Sequence, residues 1–287
     1  MHRLEDDTPE HELPTLLSSA TAALAAAGVA SPRVDAELLA AHVLGVPRSR
    51  LLTARMSAGQ AAALDELVRR RAGREPLQYI VGTAPFWGLE LAVGPGVFVP
   101  RFETELLVEW GLKQPGSVVV DLCSGSGAIA VSFATLRAGA SVAAVERSPA
   151  ALEWLRRNVA AHAPGVRVVV GDIADPAVLA DLDGTADLVL CNPPYVPDAA
   201  PVDVEVAEHD PREAVFAGAD GLDLMPAVAR TAARLLRPGG RLGIEHDDTQ
   251  GESLPALLRA TGLFEDCVDH RDLASRPRFT TATRAAS

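Results

Sequence analysis

Apolar residues return every three or four positions at the start of the chain, where Leu13, Leu16, Leu17, Ala20, Leu24 and Ala27 share one helical face before Gly28 ends the run. Ser31-Pro32 then offers an N-cap and a proline suited to the first helical position, and Val34, Leu38, Leu39 and Leu44 carry the stripe of a second helix. Ser57 with Gln60 three residues on makes a capping-box pattern for a third helix through Leu64, Leu67 and Val68, closing near Gly73 and Pro76. Residues 1–76 are therefore predicted to form a small helical domain. From Tyr79 to Pro100 the apolar segments shorten and are punctuated by Gly82, Pro85, Gly88, Gly94, Pro95 and Gly96, a pattern that suits a β-hairpin linker over residues 77–100.

Beyond Pro100 the period changes again. Extended runs over Ser117–Leu122, Ser141–Val145, Arg167–Val170, Ala186–Cys191, Arg241–Glu245, Glu265–Val268 and Arg278–Ala282 alternate with helical patterns such as Ala150–His162 and Pro226–Leu236. Such alternation predicts an α/β domain over residues 101–287, built on an open, mostly parallel seven-stranded sheet of Rossmann-like form.

Composition trims the function classes. With 48% hydrophobic residues, 287 positions can bury one large core, or a main core plus a small one. The beginning, Met1 to Glu12, has no basic segment leading into an apolar one, and no apolar run is long enough to span a bilayer, so a cytoplasmic protein is expected. Cys123, Cys191 and Cys267 lack metal-ligand spacing and are read as free thiols, with no metal site. The 26 basic residues against 38 acidic ones give a net charge of −12, which opposes tight binding of a phosphate backbone.

Chemistry concentrates at the ends of the predicted strands. In Val118-Val119-Val120-Asp121-Leu122-Cys123-Ser124-Gly125-Ser126-Gly127 an apolar strand runs into glycines that let the backbone approach a ligand at a helix N-terminus. Glu146 closes the next strand, where a carboxylate accepts the hydroxyls of a ribose. These two features also satisfy a relaxed nicotinamide fingerprint. Asp121 before the glycines and Asp172-Ile173 after the third strand favour a methyltransferase instead: Asp121 would orient the amino acid end of S-adenosylmethionine, Asp172 accept from the adenine amino group and Ile173 cover the ring. After the fourth strand stands Asn192-Pro193-Pro194-Tyr195, whose prolines cannot continue a ladder and hold a rigid backbone platform. The Asn192 side-chain oxygen and the Pro193 carbonyl can each accept one hydrogen of a planar nitrogen, with Tyr195 stacking on the flat group.

With these motifs in place, the sequence resembles the PrmC/HemK family of protein-(glutamine-N5) methyltransferases, which modify the glutamine of the Gly-Gly-Gln motif in peptide-chain release factors. The resemblance is carried also by Asp35-Ala36-Glu37-Leu38-Leu39, Pro76-Leu77-Gln78-Tyr79-Ile80-Val81-Gly82, Phe86-Trp87-Gly88, Phe98-Val99-Pro100-Arg101-Phe102-Glu103-Thr104-Glu105, Asp210-Pro211-Arg212-Glu213-Ala214-Val215 and Leu236-Arg237-Pro238-Gly239-Gly240. It implies a monomer whose helical domain docks a class I release factor while the α/β domain binds S-adenosyl-L-methionine and receives the glutamine. It also adds Phe98, Cys123, Ser124, Ser126 and Asn192 to the cofactor-binding residues Asp121, Gly125, Gly127, Glu146, Asp172 and Ile173.

Five positions depart from the family pattern in a way that makes expectations, among them Glu146, which stands where aspartate is commoner and adds one methylene that the loop must absorb. Cys123 replaces the first loop glycine, which requires that this position not need a positive φ, and Phe102 replaces proline. Asp247 and Ser275 stand where glycines are usual, away from the inferred reaction centre, which points to packing changes. A nucleic-acid N-methyltransferase acting on an exocyclic amine would pose the same problem to the Asn-Pro-Pro-Tyr platform and stays open as the alternative. A nicotinamide oxidoreductase would leave that platform without a role, and a non-catalytic docking protein predicts its loss.

Overall fold

The structure is a computed structural model that describes residues 12–286; the Met1–His11 segment of the beginning read above lies outside the described residues. The chain divides into two compact units, Met1–Gly82 and Thr83–Ser287.

The first unit contains α1 (Leu13–Ala26), α2 (Pro32–Leu44), a 3-10 segment (Arg48–Thr53), α3 (Ala58–Ala72) and α4 (Leu77–Val81). The capping box of Ser57 and Gln60 is formed in both directions, and Gly45 ends α2 in the left-handed conformation. Leu17, Leu24, Leu39, Met56 and Leu64 make its core. The stripe on α2 differs from expectation: Val34 and Leu38 are exposed, whereas Ala36, Leu39 and Ala40 are buried, because closely packed helices here meet through small side chains. Asp35 is buried too, and its carboxylate accepts from the Arg71 guanidinium of α3 at 2.7 Å. Residues 77–81, expected within the hairpin linker, are helical. Pro76 at the N-cap and Gly82 at the left-handed C-cap bound that single turn, and Ile80 packs in the helical core.

The second unit opens with a hairpin of β1 (Thr83–Phe86) and β2 (Leu89–Ala92). Its turn residues Trp87 and Gly88 both have positive φ, as a type I′ turn requires. Trp87 is held there by Glu105, whose carboxylate accepts from the Trp87 backbone N–H at 2.8 Å while its carbonyl accepts from the indole N–H. The remaining elements are α5 (Thr104–Leu112), β3 (Val118–Leu122), α6 (Ala128–Leu136), β4 (Ser141–Glu146), α7 (Pro149–His162), β5 (Arg167–Val170), β6 (Ala186–Cys191), α8 (Val204–His209), α9 (Arg212–Val215), α10 (Met225–Leu235), β7 (Leu236–Glu245), α11 (Ser253–Ala260), β8 (Phe264–Arg271) and β9 (Pro277–Arg284).

Seven strands pair in the order β5-β4-β3-β6-β7-β9-β8. The first five are parallel, β9 runs antiparallel to β7, and β8 antiparallel to β9, so the mostly parallel α/β architecture is the observed one. Val119 and Leu188 pair side by side and pack into one core, while the next pair, Val120 and Val189, packs into the core on the opposite face. Each such side chain contributes about 1.5–3 kcal/mol by its burial. β7 begins five residues before the expected strand and crosses Pro238-Gly239-Gly240 through an irregular register against β6. There the Asp187 carboxylate accepts from the backbone N–H groups of Ser117 and Val118 and from the Arg237 guanidinium. Strand order reverses between β3 and β6, and a crevice opens at their carboxyl ends.

Candidate active site

A cavity of about 340 Å³ occupies that crevice. Phe98, Cys123, Ser124, Gly125, Ser126, Glu146, Asp172, Ile173, Asn192, Pro193, Pro194 and Tyr195 all line it; of the sequence-predicted residues only Asp121 and Gly127 do not. Asp121 lies behind the glycine loop, and Gly127 closes that loop at the start of α6. Asp121, one residue before the end of β3, is fully buried, one carboxylate oxygen accepting from the Ala130 N–H at 3.1 Å and the other, Oδ1, without a partner. Burial pushes this carboxyl up to about 8; the Ser124 hydroxyl and the Ala130 N–H favour the anion, and the neighbouring Glu146 charge opposes it.

The loop between β3 and α6 depends on left-handed backbone. Gly125 and Gly127 have φ of 56° and 88°. A Cβ on Gly127 would stand 2.6 Å from Leu155, so this glycine serves helix packing; a Cβ on Gly125 would meet no protein atom within 4 Å and would stand free at the cavity wall. Cys123 corrects an expectation, because it too lies at φ 60°, where glycine is the unstrained residue. Its side chain packs against the core that holds Cys191, whose thiol is pushed well above its ordinary range by burial first and then by Cys123.

Glu146 at the end of β4 is largely buried and heavily engaged. It accepts from Gly125 N–H at 2.8 Å on one oxygen and from Arg147 and Ser148 N–H, each at 2.7 Å, on the other. Asp172 is half exposed; it accepts from the Ala174 N–H and from Arg147, and these contacts hold its carboxyl below the usual range, the Ala174 bond contributing most. Ile173 is buried beside it, its carbonyl accepting from the Thr231 hydroxyl. The Arg101 guanidinium covers the Phe98 ring at 4.9 Å and pairs with the buried carboxylate of Asp210, which joins two of the quoted motifs across the cavity rim. Phe102, the departure from proline, is exposed.

The Asn192-Pro193-Pro194-Tyr195 platform leaves the end of β6 braced from three sides. The Asn192 Nδ2 donates to the Thr104 hydroxyl oxygen at 3.1 Å, leaving Oδ1 with no partner among the described residues. Tyr195 donates its hydroxyl proton to Glu245 at 3.0 Å, and burial followed by the Glu245 charge keeps that phenol well above its ordinary pKa, hence protonated. Gln250 donates to the carbonyls of Tyr195 and Asp220. Gly221, at φ 74°, is required because a Cβ would press into the Tyr195 carbonyl. Asp247 is therefore not remote: it caps the 3-10 turn, and its backbone N–H donates to the Gln250 side-chain oxygen, which orients that amide toward the platform. Ser275 lies at φ 63° in a turn whose N–H groups gather around Asp272, so the usual glycine there has a conformational reason.

Thr104, Glu245 and Gln250 escaped the sequence reading. Thr104 opens α5 inside the 98–105 signature, and Glu245 ends β7 beside β6, so an acid at a strand's carboxyl end was the available signal.

The lining suits S-adenosylmethionine. Acidic Glu146, Asp172, Asp203 and Glu213 outnumber Arg101 and Arg147 around a cavity meant for a cationic ligand, the orphaned Asp121 oxygen lies behind the loop, and the wall at Gly125 is free of side chain. No helix among the described residues is long and apolar enough to cross a membrane.

Residues 15–82 match the family model described as PrmC N-terminal domain, and residues 89–209 that described as methyltransferase small domain. A Mycolicibacterium smegmatis protein named release factor glutamine methyltransferase is 51% identical, covering 96% of this chain and 98% of that protein. A Streptomyces pristinaespiralis protein named 4-amino-L-phenylalanine/4-methylamino-L-phenylalanine methyltransferase is 44% identical over 87% of this chain and 89% of its own length. Among solved structures, a methyltransferase from Pyrococcus furiosus aligns with TM-score 0.51 at 17% identity, over 69% of this chain and 90% of that one, a likeness of fold.

Proposed function

The chain belongs to the family of release factor glutamine methyltransferases, and from that premise we propose that it methylates N5 of the glutamine in the Gly-Gly-Gln motif of a class I peptide-chain release factor. It is an S-adenosylmethionine-dependent methyltransferase. The cofactor, when bound, supplies an electrophilic methyl group on a sulfonium. Glu146 would hold its ribose, Asp172 and Ile173 its adenine, Asp121 with the Cys123–Gly127 loop its amino acid end, and Phe98 would close the cavity over it.

The observation that best supports the substrate reading is the commitment of the Asn192 Nδ2 to Thr104, which leaves Oδ1 as an acceptor at the cavity. An amide nitrogen is a weak nucleophile because its lone pair is delocalised, and it carries two hydrogens. Asn192 Oδ1 and the Pro193 carbonyl accept these, favouring a more tetrahedral nitrogen whose lone pair is free to attack. Tyr195 flanks the flat amide with its ring, fixed through Glu245. In-line positioning supplies most of the rate.

The helical unit docks the release factor, the protein acts as a monomer in the cytoplasm, and the −12 charge argues against direct contact with nucleic acid. Between the amide and the nucleic-acid base left open by the sequence, the names of the relatives favour the amide. The Streptomyces relative keeps an aryl amine as a second reading.

The test is mass spectrometry of a purified class I release factor incubated with the protein and S-adenosylmethionine. One added methyl on the Gly-Gly-Gln glutamine, absent with Asn192→Ala, is the expected result. An unmodified release factor beside methylated 4-aminophenylalanine would transfer the assignment to the aryl amine.

A further inference from the structure

We propose that Glu245 and Thr104 are positioning residues that set which end of the Asn192 side-chain amide faces the substrate. The inference deepens the glutamine-methylation reading, on which its kinetic arm rests. Asn192 must present an oxygen, since its partner nitrogen brings only hydrogens. An amide rotated by half a turn would present an NH2 group and oppose the reaction, so something has to fix its direction.

The polar chain behind the platform supplies that direction. β6 and β7 pair with Cys191 opposite Ile244, which brings the next residues, Asn192 and Glu245, to the same sheet end. Thr104, first residue of α5, lies between them; Thr104 is 3% exposed and Glu245 1%. Tyr195 donates to Oε1 of Glu245, while Oε2 is buried without a hydrogen-bond partner. A threonine hydroxyl has a single proton. With its oxygen accepting from Asn192, that proton remains to be donated, and the Glu245 carboxyl, which the Thr104 side chain holds down, is the acceptor assigned to it. An ionised carboxylate only accepts, so both hydroxyls point toward it, Thr104 must accept from Asn192, and Asn192 must turn Oδ1 outward. If residue 245 could donate, the Thr104 proton would be released toward Asn192 and the amide would rotate.

The charge state of Glu245 therefore matters. Its carboxyl is pushed up to about 7, by burial first; the Thr104 and Tyr195 hydroxyls and the Arg278 charge from β9 hold it down, and Glu103, at the start of α5, raises it. Asp247 and Arg278 bear on Tyr195. Below about 7 the carboxyl gains a proton it can donate, and the chain loses its direction.

The experiment compares the full-length wild type with Glu245→Gln, Thr104→Val and Thr104→Ser. It reads kcat and KM on the release factor across pH, S-adenosylmethionine affinity, and the side-chain amide protons of Asn192 in 15N-resolved NMR spectra. Wild-type kcat is expected to fall on the acid side of about 7. Glu245→Gln and Thr104→Val should lower kcat on the order of 10²-fold, the scale of losing one preorganised polar contact to the reacting group. KM and cofactor affinity should stay within roughly twofold, as expected for an interaction expressed in the transition state. Glu245→Gln should also lose the acid limb, and Thr104→Ser, which keeps the hydroxyl, should restore kcat. In the spectra, the exchange-protected Asn192 proton bonded to Thr104 should vanish in both damaging variants. Wild-type kcat with an unaltered acid limb in Glu245→Gln would overturn the proposal. If the wild type fails to methylate the release factor, the substrate reading falls alone; the Asn192 resonances then decide, and identical amide signals in all four proteins would overturn the positioning role.

Discussion

Cys123 occupies a left-handed position in the cofactor loop, which costs an L residue about 1–2 kcal/mol. Cys123→Gly should raise unfolding stability by about 1 kcal/mol at most, since the added freedom of glycine in the unfolded chain offsets part of the relief. A urea midpoint that does not increase would mean that packing beside Cys191 outweighs the strain. The two loop glycines are expected to separate in the same assay. Gly127→Ala, driven into Leu155, should lose about 1–3 kcal/mol by overpacking, whereas Gly125→Ala should lose less stability and more S-adenosylmethionine affinity, read by titration. The first half of the site was legible because each motif is local: a strand, then glycines, then an acid at the next strand end. Asn192 and Pro193 were legible because consecutive prolines have few backbone options. Thr104 was not, since it meets Asn192 from 88 residues away and the 98–105 signature around it does not say which of its side chains reaches the platform.

Among the elements, the parallel strands were easiest to read, because strands buried on both faces are continuous apolar runs. α4 was hidden since its five residues are too few for a period, and Pro76 and Gly82 punctuate a turn and a helix alike. The face of α2 was misjudged for a different reason: Ala36 and Ala40 carry the contact, and bulk drew attention to Val34 and Leu38. One side chain ties the hairpin to the cofactor loop. Asn158 of α7 is 1% exposed; its oxygen accepts from Ala92 N–H, and its Nδ2 donates to the carbonyls of Ala92 and Ser126. Asn158→Ala strands a half-buried N–H and carbonyl of Ala92 and the buried carbonyl of Ser126, and a loss of about 1–3 kcal/mol is expected on the usual cost of unpaired polar groups. A midpoint within experimental error of the wild type would show that water replaces the side chain there.

For the molecule as a whole, two buried carboxyls pull the response to pH one way, against His246 and His270, whose imidazoles burial pushes below their usual range. Asp121 rises from 3.8 to about 8 and Glu245 from 4.5 to about 7, so across those windows the folded chain holds protons that the unfolded chain has released. Stability therefore falls as pH rises through them, in the same direction as self-repulsion in a chain of net charge −12. Asp272, held at about 2 by the Arg276 N–H first, acts oppositely and only in strong acid. Melting temperature at low salt should be higher at pH 5 than at pH 8, and Asp121→Asn combined with Glu245→Gln should flatten the difference; a wild-type melting temperature that climbs from pH 5 to pH 8 would contradict the assignment.

The polar chain through Asn192, Thr104, Glu245 and Tyr195 has a consequence for descent. A lineage that removes the polar group of one member strands a buried group on the next, so such single steps lead downhill and the four hydrogen-bonding roles are inherited as one character. Descendants that exchanged glutamine for another acceptor would keep the chain entire or replace it wholesale, and intermediate versions should be scarce.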